Sequence, residues 1–259
     1  MINKSYIVCS TGRSGSTLLC STLSDLGFCG KPLEYFHPAK IEKYIAQDSA
    51  NSFQDYLSQV LQKGTSQNGI FGIKIHWEHF RNFINLARKY LGLSRQSDWE
   101  IISTIFPNPY FIYIWRRNLV KQAVSTEIAY QTQKWVKTDE NLISEAPKNL
   151  AFKPLNIYRY KQGIEARNQK WRKFFAKNYV DFYEIVYEDF IQSFEETIRG
   201  LISFIKIGSL PEIYEIKMPI HRQSSDINER WCQYYSYIPE NFLKLYGELR
   251  SDVKKILKL

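Results

Sequence analysis

A chain of 259 residues, 44% hydrophobic and 15% aromatic, carries enough apolar material for one large packed domain, which excludes a disordered protein. Its formal net charge of +9 favours an anionic partner, whether nucleotide, nucleic acid or acidic membrane surface, without choosing among them. No apolar run approaches the roughly 20 residues of a membrane-spanning helix.

The first strand is expected over Ser5–Ser10, and its apolar core, Tyr6 to Cys9, is too short for a secretory signal. A cytoplasmic protein without a transmembrane segment is expected. Cys9, Cys20, Cys29 and Cys232 show no Cys-x-x-Cys spacing and read as reduced thiols. The strand runs into TGRSGSTLL (Thr11–Leu19) and a helix over Ser14–Leu26, with Leu19, Leu23 and Leu26 on one face and Gly27 as its stop. A helical insertion covers about 39–63. The second strand, Ile70–Trp77, leads into a helix over Glu78–Leu91 whose stripe is Phe80, Phe83, Ile84, Ala87 and Leu91. The third, Tyr110–Arg116, leads into a helix over Asn118–Trp135. A second insertion covers 137–178, irregular at first and helical from Pro154. The fourth strand, Asp181–Tyr187, precedes a helix over Ser193–Ile207. The tail, 218–259, begins polar and ends in an amphipathic helix, Pro239–Leu257.

Strands alternating with helices imply an α/β fold: a P-loop-like parallel sheet flanked by helices, in a single domain spanning 1–259. Ligand sites of such sheets lie beyond the carboxyl ends of the strands. The chemistry is therefore expected at Thr11–Thr17, His76–Glu78, Arg116–Asn118 and Glu188–Asp189.

Strand, Gly/Ser/Thr loop and helix in that order make an anion site, because helix N-terminal N–H groups are unpaired and carry the positive end of the dipole. Ser14, Ser16 and Thr17 add hydroxyls and Arg13 a permanent charge. The same turn also serves as an ordinary helix N-cap. ATPases and GTPases end this loop in Gly-Lys-Ser/Thr, whereas here it reads Gly15-Ser16-Thr17. That weighs against a P-loop-type nucleotide kinase. A nucleic-acid-binding protein is the other alternative, but the basic residues are spread along the chain rather than clustered with aromatics.

Further motifs follow in a set order. YIWRRNLVKQAVS (Tyr113–Ser125) places Arg116 and Arg117 after the third strand and Ser125 eight residues on; VYEDF (Val186–Phe190) closes the fourth. With the loop, this order resembles the sulfotransferases that use 3′-phosphoadenosine-5′-phosphosulfate (PAPS). GRSGSTLL, GKPLEYF, GIKIHW and RQSSDINERW resemble most the trehalose 2-sulfotransferase type, and the likeness covers most of Ser5–Trp231.

The resemblance implies an enzyme that moves a sulfuryl group from PAPS to a hydroxyl of a carbohydrate, glycolipid or other small acceptor, leaving 3′-phosphoadenosine-5′-phosphate. It assigns Arg13, Ser14, Gly15, Ser16 and Thr17 to the phosphosulfate, with Arg13 also facing charge on the leaving oxygen. Arg117 and Ser125 fall to the 3′-phosphate. Arg116 is the alternative, since consecutive side chains point apart. Tyr187 is either an adenine neighbour or a core tyrosine, and Arg222 stands where relatives bring a late basic loop to the nucleotide. Two residues compete as general base. Glu34 matches the glutamate of the trehalose type, and His76, in Lys-x-His, resembles the histidine of animal cytosolic enzymes. Lys74 is expected to share a strand face with His76. No metal is expected, and a homodimer is implied by the likeness alone.

Overall fold

The computed structural model describes residues 2–47, 52–135, 150–208, 216, 218 and 226–256. Among the described residues there are four strands: β1 (Lys4–Ser10), β2 (Ile70–His76), β3 (Pro109–Trp115) and β4 (Phe182–Val186). They form one sheet in the order β2-β1-β3-β4, and every pairing is parallel. The α/β class, the parallel sheet and all four expected strands are therefore observed.

Parallel strands need long crossovers, and helices supply them. Between β1 and β2 lie α1 (Ser16–Asp25), α2 (Pro38–Gln47) and α3 (Phe53–Gly64). Next come α4 (Trp77–Tyr90) and α5 (Asp98–Ile105), then α6 (Leu119–Thr132) and α7 (Pro154–Asn178). After β4 follow the single turn α8 (Tyr187–Phe190), α9 (Phe194–Phe204), α10 (Asp226–Ser236) and α11 (Glu240–Ile256). Among the described residues, no helix is long and apolar enough to cross a membrane.

By its contacts the chain divides into two units, Met1–Arg117 with Arg167–Pro219, and Asn118–Ala166 with Ile220–Leu259. The first holds the sheet. Alternate strand residues Ile7 and Cys9, Phe71, Ile73 and Ile75, Phe111 and Tyr113 join one cluster with Phe80, Phe83 and Ile84 of α4. The other face is covered too: Phe204 packs on Tyr110 and Tyr183 at centroid distances of 5.7 and 5.5 Å. Burial on both faces is what parallel strands require, and it explains their near-continuous apolar runs. Trp171 of α7 is wholly buried beside Trp77 and Phe80, and its Nε1 donates to the carbonyl of Ser10 at 3.1 Å. That bond fixes the end of β1, where the glycine-rich loop begins.

The second unit has its own core of Ala123, Val124, Ile157, Ile164, Trp231, Tyr235 and Leu243. Its buried Glu127 accepts hydrogen bonds from Gln131 at 2.6 Å and Asn156 at 3.2 Å, so the carboxylate is paired rather than stranded.

Strand register sets up the site. Ser10 pairs with His76 and Val8 with Lys74, so these four residues share one face of the sheet. The carboxyl ends of β1, β2, β3 and β4 align, and residues 11–17, 77–79, 116–118 and 187–189 follow them.

Candidate active site

The loop after β1 turns through two left-handed residues, Arg13 at φ 63° and Gly15 at φ 93°. Gly15 is obligatory for a second reason. A Cβ there would stand 2.2 Å from Cδ2 of Tyr187. α1 then begins at Ser16 with no side chain capping its N-terminus, and the buried Ser14 Oγ has no hydrogen-bond partner among the described residues. A left-handed turn, an uncapped helix start and an unpaired hydroxyl converge on one spot, and together they fit an anionic group.

The guanidinium of Arg13 is half-buried. Burial lowers its pKa and Arg116 adds to that, while Tyr187 opposes them. Arginine stays charged over such shifts, so two cations face the loop.

Consecutive residues after β3 point apart, as strand geometry demands. Arg116 turns inward: its Nη1 donates to the carbonyl of Arg13 at 3.4 Å, its guanidinium lies 4.3 Å from the centre of the Tyr187 ring, and its Nε is 3.8 Å from Glu188. Arg117 turns outward and pairs with Asp189 at 2.8 Å, with about 60% of its side chain exposed. The geometry therefore brings Arg116, the alternative, to the loop. Tyr187 lies against Gly15 beneath Arg116 and stands outside the main core. Ser125 sits half-buried on α6, in the second unit, and Arg222 lies outside the described residues.

Glu34 reaches the loop through a backbone joint. Leu33 bridges to Ile73, and the N–H of Lys74 donates to the Leu33 carbonyl at 3.1 Å. Upstream, Gly30 at φ 73° runs so close to β2 that a Cβ would meet the Ile70 carbonyl at 2.7 Å. This close approach holds the segment GKPLEYF against the sheet edge.

The carboxylate of Glu34 is gripped on one oxygen. Oε1 accepts from Lys74 Nζ at 2.7 Å and from His76 Nε2 at 3.2 Å. Lys74 Nζ also donates to Thr17 Oγ1 at 3.3 Å, and His76 Nδ1 lies 3.0 Å from Ser10 Oγ. The chain Thr17–Lys74–Glu34–His76–Ser10 thus starts and ends on the loop's own flanks. Oε2 carries no hydrogen bond or ion pair among the described residues. Burial pushes the Glu34 pKa up, but hydrogen bonding and charge from His76 and Lys74 outweigh it and hold the group well below the usual carboxylate range. Sequence reasoning set Glu34 and His76 against each other; it did not foresee that they touch.

Two more imidazoles border this cluster. The His79 ring lies 4.7 Å from that of His37 and 5.5 Å from that of His76. Burial, then His76 and His37, bring the His79 pKa down to about 4. The folded state therefore prefers neutral His79, and stability that is complete above pH 6.5 should decline as pH falls towards about 4. Urea midpoints measured across that window should fall on the acid side, and His79→Gln should flatten the trend.

Against known proteins, the Stf0 sulphotransferase family matches residues 5–237. The trehalose 2-sulfotransferase of Mycobacterium tuberculosis is 24% identical over 260 residues, covering 89% of this chain and 93% of that protein. That of Mycolicibacterium smegmatis is 23% identical over 261 residues, with the same coverage. Among solved structures, a sulfotransferase from Alicyclobacillus acidocaldarius aligns with a TM-score of 0.47 and 13% identity over 91% of this chain and 92% of its own. The sulfotransferase domain from the curacin biosynthetic pathway aligns with a TM-score of 0.42 and 14% identity, over 92% and 99%.

Proposed function

The chain belongs to the Stf0 sulphotransferase family, and from that premise we propose that it moves a sulfuryl group from PAPS to a hydroxyl of trehalose or a related carbohydrate. The observation that carries the reading is Glu34, held on one oxygen beside the loop with the other left open. Both mycobacterial relatives bear the name of a trehalose-modifying enzyme and align over 89% of the chain, which favours a sugar acceptor. The family match runs through both contact units, which supports one catalytic domain.

When bound, PAPS supplies a sulfuryl group on a phosphate leaving group. Arg13, Ser14, Gly15, Ser16 and Thr17 receive that end of the molecule, and the uncapped start of α1 and the unpaired Ser14 Oγ support the assignment. Arg116 joins them through its contact with Arg13. Arg117, Ser125 and Arg222 keep their assignment to the rest of the nucleotide by resemblance. Tyr187, lying on Gly15, keeps its own there as well.

Glu34 Oε2 takes the proton of the acceptor hydroxyl as that oxygen gains the sulfuryl group, and Arg13 meets the charge left on the departing phosphate oxygen. A strongly held carboxylate is a weak base. It suffices here because a loose transition state, as in phosphoryl transfer, leaves bond formation to the hydroxyl oxygen late. By then that oxygen is acidic.

Incubation with labelled PAPS and a panel of trehalose, glycolipids and phenols is expected to label a sugar hydroxyl; label on phenols alone would overturn the acceptor class. In thermal-shift titration, 3′-phosphoadenosine-5′-phosphate should stabilise the protein. Stabilisation by magnesium ATP or an oligonucleotide, with no response to the bisphosphate, would overturn the donor.

A further inference from the structure

Resting on the reading of Glu34 as base, we propose that His76 is a positioning residue: bonded through Nδ1 to Ser10 Oγ and through Nε2 to Glu34 Oε1, it fixes the carboxylate so that Oε2 is the oxygen presented to the acceptor. Three observations carry this.

Both ring nitrogens of His76 are engaged by the protein, so neither is left to take a proton from an acceptor. The partner on the far side, Ser10, is wholly buried and stands at the end of β1. Its backbone carbonyl is itself held by Trp171 Nε1 at 3.1 Å. The anchor is therefore part of the rigid sheet rather than a surface hydroxyl. Facing a carboxylate oxygen, Nε2 carries its proton and donates it to Glu34 while Nδ1 meets Ser10 Oγ, the arrangement by which a second group orients a reacting one.

Lys74 contributes charge to the same oxygen but cannot set direction alone, because an ammonium on a flexible stem donates from several angles. The planar imidazole, pinned at both ends, can. The titratable groups that interact with Glu34 among the described residues are Lys74 and His76 from β2, His79 from α4 and Cys20 from α1. Among the described residues, Lys74 and His76 alone make a hydrogen bond or ion pair with the carboxylate.

The test uses His76→Ala, His76→Gln, Glu34→Gln and the double variant His76→Ala with Glu34→Gln, assayed with PAPS and trehalose or whichever sugar the acceptor panel labels. His76→Ala should lower kcat by about 10–100-fold, the range for losing an orienting partner, with little change in bisphosphate affinity by calorimetry. His76→Gln, whose amide can still donate to Glu34, should recover most of the loss. The double variant should be no slower than Glu34→Gln alone, because His76 acts through that carboxylate.

A readout without turnover accompanies these: the Glu34 side-chain carboxyl ¹³C signal, titrated in the free protein, should move to higher pH in His76→Ala and return in His76→Gln. A double variant about 100-fold slower than Glu34→Gln, or a His76→Gln as impaired as His76→Ala with an unmoved ¹³C titration, overturns the proposal. Full turnover in Glu34→Gln would instead overturn the assignment of Glu34 as base. Unfolding midpoints and bisphosphate binding identify any variant that has failed to fold, and the ¹³C titration then decides on His76→Gln alone.

Discussion

Glu34→Gln should lower kcat by about 10²–10⁴-fold, the usual contribution of a positioned general base. Glutamine matches glutamate in shape and still offers a carbonyl oxygen to Lys74 and His76, which grip Oε1 at 2.7 and 3.2 Å. The group that changes is the open oxygen, which in an amide can no longer accept a full proton. Bisphosphate affinity should therefore hold while turnover falls. His76→Ala should fall less, since it removes the support and leaves the carboxylate. The reverse ranking would move the base to His76.

Arg13→Ala should cost about 10²–10³-fold in kcat, the scale for deleting one preorganised group that meets charge in the transition state, together with weaker binding of the bisphosphate. Arg13 sits at φ 63°, a left-handed conformation whose cost alanine and arginine share, so Arg13→Ala tests the side chain and Arg13→Lys separates its charge from its shape. Lysine keeps the positive charge but loses the planar fork, so an intermediate rate is expected. Isothermal calorimetry and steady-state kinetics separate the two effects. Unchanged turnover in Arg13→Ala would transfer the role to Arg116, whose guanidinium contacts the Arg13 carbonyl.

The four strands were legible because each is a short apolar run whose neighbours are helical stripes, and burial on both faces imposes that pattern. α5 was missed although its signal was present: Ser97 accepts from the Glu100 N–H while Glu100 accepts from the Ser97 N–H, a capping box readable from Ser-Asp-Trp-Glu. α10 was missed because its apolar anchors, Trp231 and Tyr235, stand among many polar residues. The inward turn of Arg116 was open in principle, since alternation says only that Arg116 and Arg117 differ. Which one faces the loop depends on strand register, fixed by the pairing of Trp115 with Val186. The meeting of Glu34 with Lys74 and His76 depends on the bridge from Leu33 to Ile73, forty residues apart in sequence. Local pattern carries no trace of such a contact.

The circuit of contacts that runs from Thr17 through Lys74, Glu34 and His76 to Ser10, from one flank of the loop to the other, has a thermodynamic corollary. On the proposed function, a nucleotide settling on the loop and a sugar settling on Glu34 would both press on the same five side chains. Reciprocity then governs them: whatever factor the bisphosphate applies to the sugar's dissociation constant, the sugar must apply to the bisphosphate's. If filling the loop tightens the circuit, the two ligands bind with synergy and the enzyme discourages transfer to water before the sugar arrives. Cutting the circuit at His76 should shrink that mutual factor in both directions at once.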